Sequence, residues 1–176
     1  MTPRAASEQL VVAAREVLGD RPAGVVDVGT GSGALAIAIA SALPNAFVWA
    51  TDTSPDAVAL ARENVRRYGL DDRVAVRQGD LLEPVPGPVD LVVANLPYLP
   101  GAEAPFHPDL AAEPDSAVFA PGDGLDPYRH LLEACADRLS TDGAVALQLH
   151  RRVLTATRAE LPILPARLEQ PALAAA

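Results

Sequence analysis

The chain has 176 residues, 49% of them hydrophobic, enough to bury one globular core. Its formal net charge is −9 and it contains no lysine, so a phosphate backbone is a disfavoured partner. One cysteine, Cys135, excludes an internal disulfide, and no apolar run approaches the roughly 20 residues of a membrane helix.

A helix is predicted from Ser7 to Leu18, where Leu10, Val11, Ala14, Val17 and Leu18 share one face. Gly19-Asp20-Arg21-Pro22 ends it. Val25-Val26-Asp27-Val28 is rich in β-branched residues and predicts a buried strand. Gly29-Thr30-Gly31-Ser32-Gly33 then predicts a tight turn, and Ala34 to Ala42 a helix. Strand, glycine turn and helix form the first unit of a doubly wound α/β nucleotide-binding sheet. Residues without Cβ let a ligand lie against the backbone, and the helix start offers it free N–H groups. Spacing alone leaves two ligand classes open. Gly29, Gly31 and Ala34 fit the GxGxxA of a dinucleotide loop, whereas Asp27 inside the strand and an early third glycine make D-x-G-x-G-x-G.

Phe47 to Thr51 predicts a second strand with Asp52 at its end. An acid there, about 20 residues after the glycine turn, can accept hydrogen bonds from both ribose hydroxyls. Ser54 to Tyr68 predicts a helix with Ser54 as N-cap, Pro55 in its first turn and Gly69 at its C-terminal stop. Val74 to Gln78 is a third strand, followed by Gly79-Asp80-Leu81. Ligands of such sheets sit at the carboxyl ends of strands, which places Asp80 for an adenine amino group and the Leu81 main chain for the ring. Val89 to Ala94 is a fourth strand, and Asn95-Leu96-Pro97-Tyr98 lies at the same ligand-facing end.

Leu99 to Asp126 is a long loop of the kind that is often functional. Pro127 to Leu139 predicts a helix with Asp126 as N-cap, Ala144 to Leu149 a fifth strand, and His150 to Leu161 a last helix. Prolines 162, 165 and 171 interrupt the tail, so Ala144–Leu149 is expected at or near a sheet edge. A second copy of the chain or a partner protein is expected to cover it, the alternative being that the tail folds back and caps it alone. His107, His130 and His150 show no metal-ligand spacing, and no metal is expected. The whole predicts one domain, with an N-terminal helix in 1–22, a core in 23–161 and a tail in 162–176. With no basic-then-apolar leader and one cysteine, the expected location is cytoplasmic.

D-x-G-x-G-x-G resembles motif I of the class I S-adenosylmethionine (SAM) methyltransferases. More narrowly, the chain resembles the HemK/PrmC family of protein glutamine methyltransferases. Pro3 to Val11 is similar to that family's P-R-P-E-T-E-x-L-V, and Asn95-Leu96-Pro97-Tyr98 stands where it has N-P-P-Y. Glu113-Pro114, with Gly122-Asp123-Gly124-Leu125-Asp126-Pro127-Tyr128-Arg129, is similar to its E-P…G-x-D-G-L-D-x-Y-R. The resemblance departs at Leu96, where the family has proline, and at Gln148-Leu149-His150, where it has E-[IV]-G.

The resemblance implies a Rossmann-like fold, SAM as cofactor and methyl transfer to a glutamine amide of a protein such as a translation release factor. It implies that Asp27, Gly29, Thr30, Gly31, Gly33, Asp52, Thr53, Asp80, Leu81 and Asn95 hold the cofactor. Catalysis falls to Asn95, Leu96, Pro97 and Tyr98. An amide nitrogen is a poor nucleophile because its lone pair is delocalised. The Asn95 side-chain oxygen and the Leu96 carbonyl would accept its hydrogens, bonds that strengthen as the nitrogen becomes positive. Pro97 would stiffen the turn and Tyr98 would offer a flat face to the amide. Leu96 keeps the carbonyl but loses the fixed φ of proline, so a softer loop is expected. The same acceptors could serve an adenine or small-molecule amino group, and a SAM-binding module without catalysis is the third alternative.

Overall fold

Alternation along the strands builds the molecule. The computed structural model describes residues 5–100, 118–149 and 152–163. Helix α1 (Ala5–Leu18) leads into β1 (Ala23–Val28), α2 (Ala34–Ala42), β2 (Ala46–Asp52), α3 (Pro55–Arg67), β3 (Val74–Gln78) and β4 (Val89–Ala94). After a two-residue strand at each end of the long loop, β5 (Leu99–Pro100) and β6 (Phe119–Ala120), come α4 (Asp126–Ala136), β7 (Leu139–Leu149) and β8 (Arg152–Thr157). The main sheet runs β3-β2-β1-β4-β7-β8, parallel except for antiparallel β8. This is the doubly wound, mostly parallel sheet that the sequence predicts.

Both faces of the central strands are covered, as parallel sheets require. Val25, Leu91, Val93, Ala144 and Ala146 face α1, α2 and α3. Their neighbours Val26, Val92, Ala94, Val145 and Leu147 face α4, where Leu131, Leu132 and Cys135 pack with Tyr128. A period of two thus sorts the apolar residues of β1, β4 and β7 into two cores, except at Val89, which precedes a register shift against β7 and joins the α4 side. Each of these strands ends at the same edge of the molecule, and the loops that follow them meet there.

α3 shows why its ends were legible. Ser54 Oγ accepts a hydrogen bond from Ala57 N–H at 3.3 Å, with proline in the first turn. At the other end Gly69 (φ +64°) donates to Arg66 O and Leu70 to Val65 O, the paired bonds of a Schellman stop.

Three expectations are corrected. His150–Leu161 is not a helix: Arg152–Thr157 is β8, and a 3₁₀ turn follows over Arg158–Ile163. Val153, Thr155 and Thr157 alternate at strand period, and an unpaired β7 offers them a full ladder, from Ala144 opposite Thr157 to Leu149 opposite Arg152. It follows that Ala144–Leu149 lies near the edge, as expected, but one strand in from it, and that it is β8 of the same chain that covers it. Thirdly, α4 ends at Ala136, Leu125 rather than Asp126 occupies its N-cap position, and Leu139 already belongs to β7. The expected contributions of Pro3-Arg4, Glu113-Pro114 and the tail from residue 164 lie outside the described residues. Among the described residues no helix is long and apolar enough to cross a membrane.

Candidate active site

The strand ends converge on a cavity of about 650 Å³. The glycine turn forms one wall. Gly29, Gly31 and Gly33 have φ of +69°, +56° and +79°. A Cβ on Gly29 would come within 2.7 Å of Leu96 Cδ2, and one on Gly33 within 3.1 Å of Ala61 Cβ. Those two glycines allow close packing. A Cβ on Gly31 would meet nothing within 4 Å, so Gly31 presents bare backbone to the cavity.

Asp52 stands beside it at the end of β2. Its Oδ2 accepts from Gly31 N–H and its Oδ1 from Ser54 N–H, both at 2.9 Å. Each oxygen retains a second lone pair for a ligand hydroxyl. Thr53, Asp80 and Leu81 line the same cavity. Leu81 has a left-handed φ of +44°, unusual for a branched side chain, and its carbonyl accepts from Thr51 Oγ1 at 2.8 Å. Asn95, Leu96 and Pro97 close the opposite side. The cavity therefore gathers Gly29, Gly31, Asp52, Thr53, Asp80, Leu81, Asn95, Leu96 and Pro97 from four separate stretches of sequence.

Four predicted site residues are placed elsewhere. Asp27 is 2% exposed and lies beneath the turn, where its Oδ2 accepts from Thr30 Oγ1 at 2.6 Å and Ala36 N–H at 3.1 Å. Asp27 and Thr30 thus brace the turn against α2 rather than line the cavity, and Gly33 is buried against α3. Tyr98 is not among the lining residues either. The chain turns away after Pro97 into β5, and the Tyr98 ring packs near Leu99 and Val118. Ser32, Ser54, Asp56, Ala57, Leu60 and Pro127 line the cavity without having been predicted. The first turn of α3 could have been inferred, since it starts immediately after Asp52.

Burial pushes the Asp27 carboxyl up to about 7, against the two hydrogen bonds it accepts, and the nearby Asp52 charge adds to the rise. A carboxyl raised in the folded state binds a proton between about pH 4 and pH 7 that the unfolded chain has lost. Its contribution to stability therefore falls as pH rises through that window, by at most about 1.4 kcal/mol per pH unit for one proton. Asp27→Asn, which keeps an acceptor for Thr30 and Ala36, is expected to flatten that part of the profile. Urea midpoints at pH 5 and pH 7.5 measure it; an equal pH slope in both proteins would contradict the buried, proton-binding assignment.

The segment from Gly122 to Arg129 supports the Asn95–Tyr98 loop from behind. Gly124 (φ +86°) lies so close that a Cβ there would be 2.1 Å from Tyr98 O. Asp123 Oδ1 accepts from Leu125 N–H, and Arg129 grips Asp123 through both guanidinium nitrogens at 2.9 and 2.7 Å and Asp126 at 2.8 Å. The Arg129 guanidinium holds the exposed Asp123 carboxyl down at about 2. Tyr128 is fully buried, and its Oη accepts from Leu96 N–H at 3.0 Å while lying 3.0 Å from Leu96 O and 2.5 Å from Gln148 O. Burial holds the phenol far above its ordinary pKa, so it keeps its proton. Leu96 has an N–H that proline lacks, and Tyr128 binds it, a restraint at the point where the fixed φ of proline is absent. Among the described residues no group of three His, Cys, Asp or Glu could hold a metal ion.

The comparisons agree with this geometry. The family model described as Methyltransferase small domain matches residues 6–112. The release factor glutamine methyltransferase of Deinococcus radiodurans is 44% identical over 164 residues, covering 92% of this chain and 58% of that protein. That of Moorella thermoacetica is 47% identical over 127 residues, covering 71% and 45%. The ribosomal protein uL3 glutamine methyltransferase of Bordetella pertussis is 42% identical over 130 residues, covering 72% and 44%. The chain spans about half the length of these curated relatives. Among solved structures, a ribosomal protein L11 methylase from Lactobacillus delbrueckii subsp. bulgaricus superposes with a TM-score of 0.57 at 28% identity, covering 83% of this chain and 61% of that one. Family match, sheet topology and the motif-bearing cavity coincide: the chain belongs to the methyltransferase small-domain family, among its HemK/PrmC-like members.

Proposed function

We propose that this chain binds SAM in the cavity and transfers its methyl group to a glutamine side-chain amide of a protein, a translation release factor being the leading substrate. One observation carries the proposal: Asn95 and Leu96 share a single cavity with Asp52 and Asp80. The residues present fit the cofactor. Gly31 offers unobstructed backbone, Asp52 has lone pairs for the ribose hydroxyls, and Asp80 with the Leu81 main chain lies where the adenine is expected. When bound, SAM supplies an electrophilic sulfonium methyl. Asn95 Oδ1 and the Leu96 carbonyl accept the two hydrogens of the incoming amide and orient its nitrogen. Their bonds tighten as that nitrogen becomes positive, which lowers the barrier; the C–S bond breaks to leave the neutral thioether, and the acidic product nitrogen then sheds one proton to water, so no general base is required before transfer. The acidic chain supports a protein acceptor over nucleic acid.

Methyl-labelled SAM, incubated with the chain and separately with a release factor, ribosomal protein uL3 and RNA, tests the substrate. Label on a release-factor glutamine is the expected result. Label confined to RNA would move the chain to the adenine-type reading, and label on nothing despite tight SAM binding would make it a binding module.

Asp52→Ala is expected to weaken SAM and S-adenosylhomocysteine alike, by about 1.5–3 kcal/mol for a lost charge-assisted pair of hydrogen bonds. The substitution also frees the Gly31 and Ser54 N–H groups, which favours the upper part of that range. Unchanged affinity by calorimetry would remove Asp52 from the ribose site.

A further inference from the structure

We propose that Tyr128 is a positioning residue for this reaction, its hydroxyl clamping the Leu96 peptide group so that the Leu96 carbonyl is held ready for the acceptor amide. The role of that carbonyl rests on the function proposed above; the clamp itself rests on geometry. A phenol has one proton to give and two lone pairs. The Leu96 N–H, at 3.0 Å, takes one lone pair. The single proton then faces two carbonyls, Gln148 O at 2.5 Å and Leu96 O at 3.0 Å, and the nearer one claims most of it. Leu96 is thereby fixed through its N–H while its carbonyl keeps its electron density for an incoming donor.

The anchor is rigid. Gln148 belongs to β7, and β7 pairs with β4, the strand that delivers Leu96. Tyr128 itself is fully buried among Leu131, Leu132 and Leu147. A phenylalanine would fill that space without needing hydrogen-bond partners, so the hydroxyl is accounted for by the loop it holds. Leucine at position 96 completes the arrangement, since proline would leave Tyr128 without its donor.

Tyr128→Phe in the full chain tests the clamp, with Leu96→Pro as the variant that removes the N–H and keeps the carbonyl. Tyr128→Phe is expected to lower kcat about ten- to a hundredfold, as misplacement of a reacting group does, with the Kd for SAM within about threefold. Its Leu96 amide is expected to exchange hydrogen faster than in the wild type. Leu96→Pro, whose fixed φ takes over the restraint of the N–H contact, is expected to hold kcat within a few-fold of the wild type, and Tyr128→Phe is expected to cost less in that background than alone. Unchanged kcat in folded Tyr128→Phe overturns the proposal, as do losses that multiply in the double variant. An equal fall in SAM affinity and kcat also overturns it, because that is general loosening. If Tyr128→Phe does not fold, hydrogen exchange in the wild type decides: a Leu96 amide that exchanges as fast as an unbonded one overturns the proposal. If the wild-type chain binds SAM but methylates no glutamine, the proposed function fails. The clamp is then judged by exchange alone, and unchanged Leu96 exchange in Tyr128→Phe refutes it.

Discussion

Asn95→Ala is expected to leave a folded, cofactor-binding protein that hardly turns over. Asn95 follows directly on β4, whose Ala94 is paired in register with Val28 and Leu147, so truncating the side chain leaves the backbone path intact. On the proposed mechanism, what disappears is an acceptor whose bond to the amide strengthens as charge develops. Loss of one such preorganised partner costs about 10²–10³ in kcat. The loss should appear equally in kcat and kcat/KM for the acceptor, since little of it is ground-state binding. The Kd for SAM should stay within a few-fold. Steady-state kinetics with calorimetry measures both, and near-normal turnover would take Asn95 out of the chemistry.

Gly124→Ala should be the most damaging change outside the cavity lining. Two costs combine. An L-residue at φ +86° is strained by about 1–3 kcal/mol. The new Cβ would also lie 2.1 Å from Tyr98 O and 2.9 Å from Tyr98 C, backbone atoms that cannot swing aside, so the Asn95–Tyr98 loop must shift. Gly87→Ala separates the two effects. Gly87 has φ +65° and nothing within 4 Å of its notional Cβ, so its alanine variant carries strain alone. Both variants should lose thermal stability, but only Gly124→Ala should lose activity while still binding SAM. Equal activity in the two would show that the close packing of Gly124 under Tyr98 has no bearing on the loop.

Strands were legible where one chemical signal dominated. Val74–Gln78 and Val89–Ala94 coincide with β3 and β4 because β-branched residues are bounded by a turn or a proline-rich stretch. β8 was missed although Val153, Thr155 and Thr157 alternate at strand period, because so short a segment also fits a helix and the open edge of β7 decides between the two. The site divides in the same way. Asp52 and Asp80 declare themselves by standing at strand ends. Asp27 looked like a ligand contact because the motif places it beside the glycines, yet its partners are Thr30 and Ala36. The Gly122–Arg129 segment showed its likeness to the family's G-x-D-G-L-D-x-Y-R in sequence, but its work is done by one hydroxyl and one missing Cβ acting across some thirty residues.

The order of β4, α4 and β7 along the chain has a consequence for how the protein is made. Synthesis runs from the N-terminus, so the segments of β1 to β4 emerge before those of α4 and β7. The glycine turn, Asp52 and Asp80 can come together once β1 to β4 exist. Leu96 must wait for Tyr128, and Tyr128 for the carbonyl of Gln148, the penultimate residue of β7. A nascent chain can therefore assemble its nucleotide-facing wall well before its transfer loop has anything to lean on. Pairing β7 against β4 also closes a long sequence separation, the kind of contact that forms slowly. Ligand binding and turnover should thus appear at different times during refolding, the first ahead of the second.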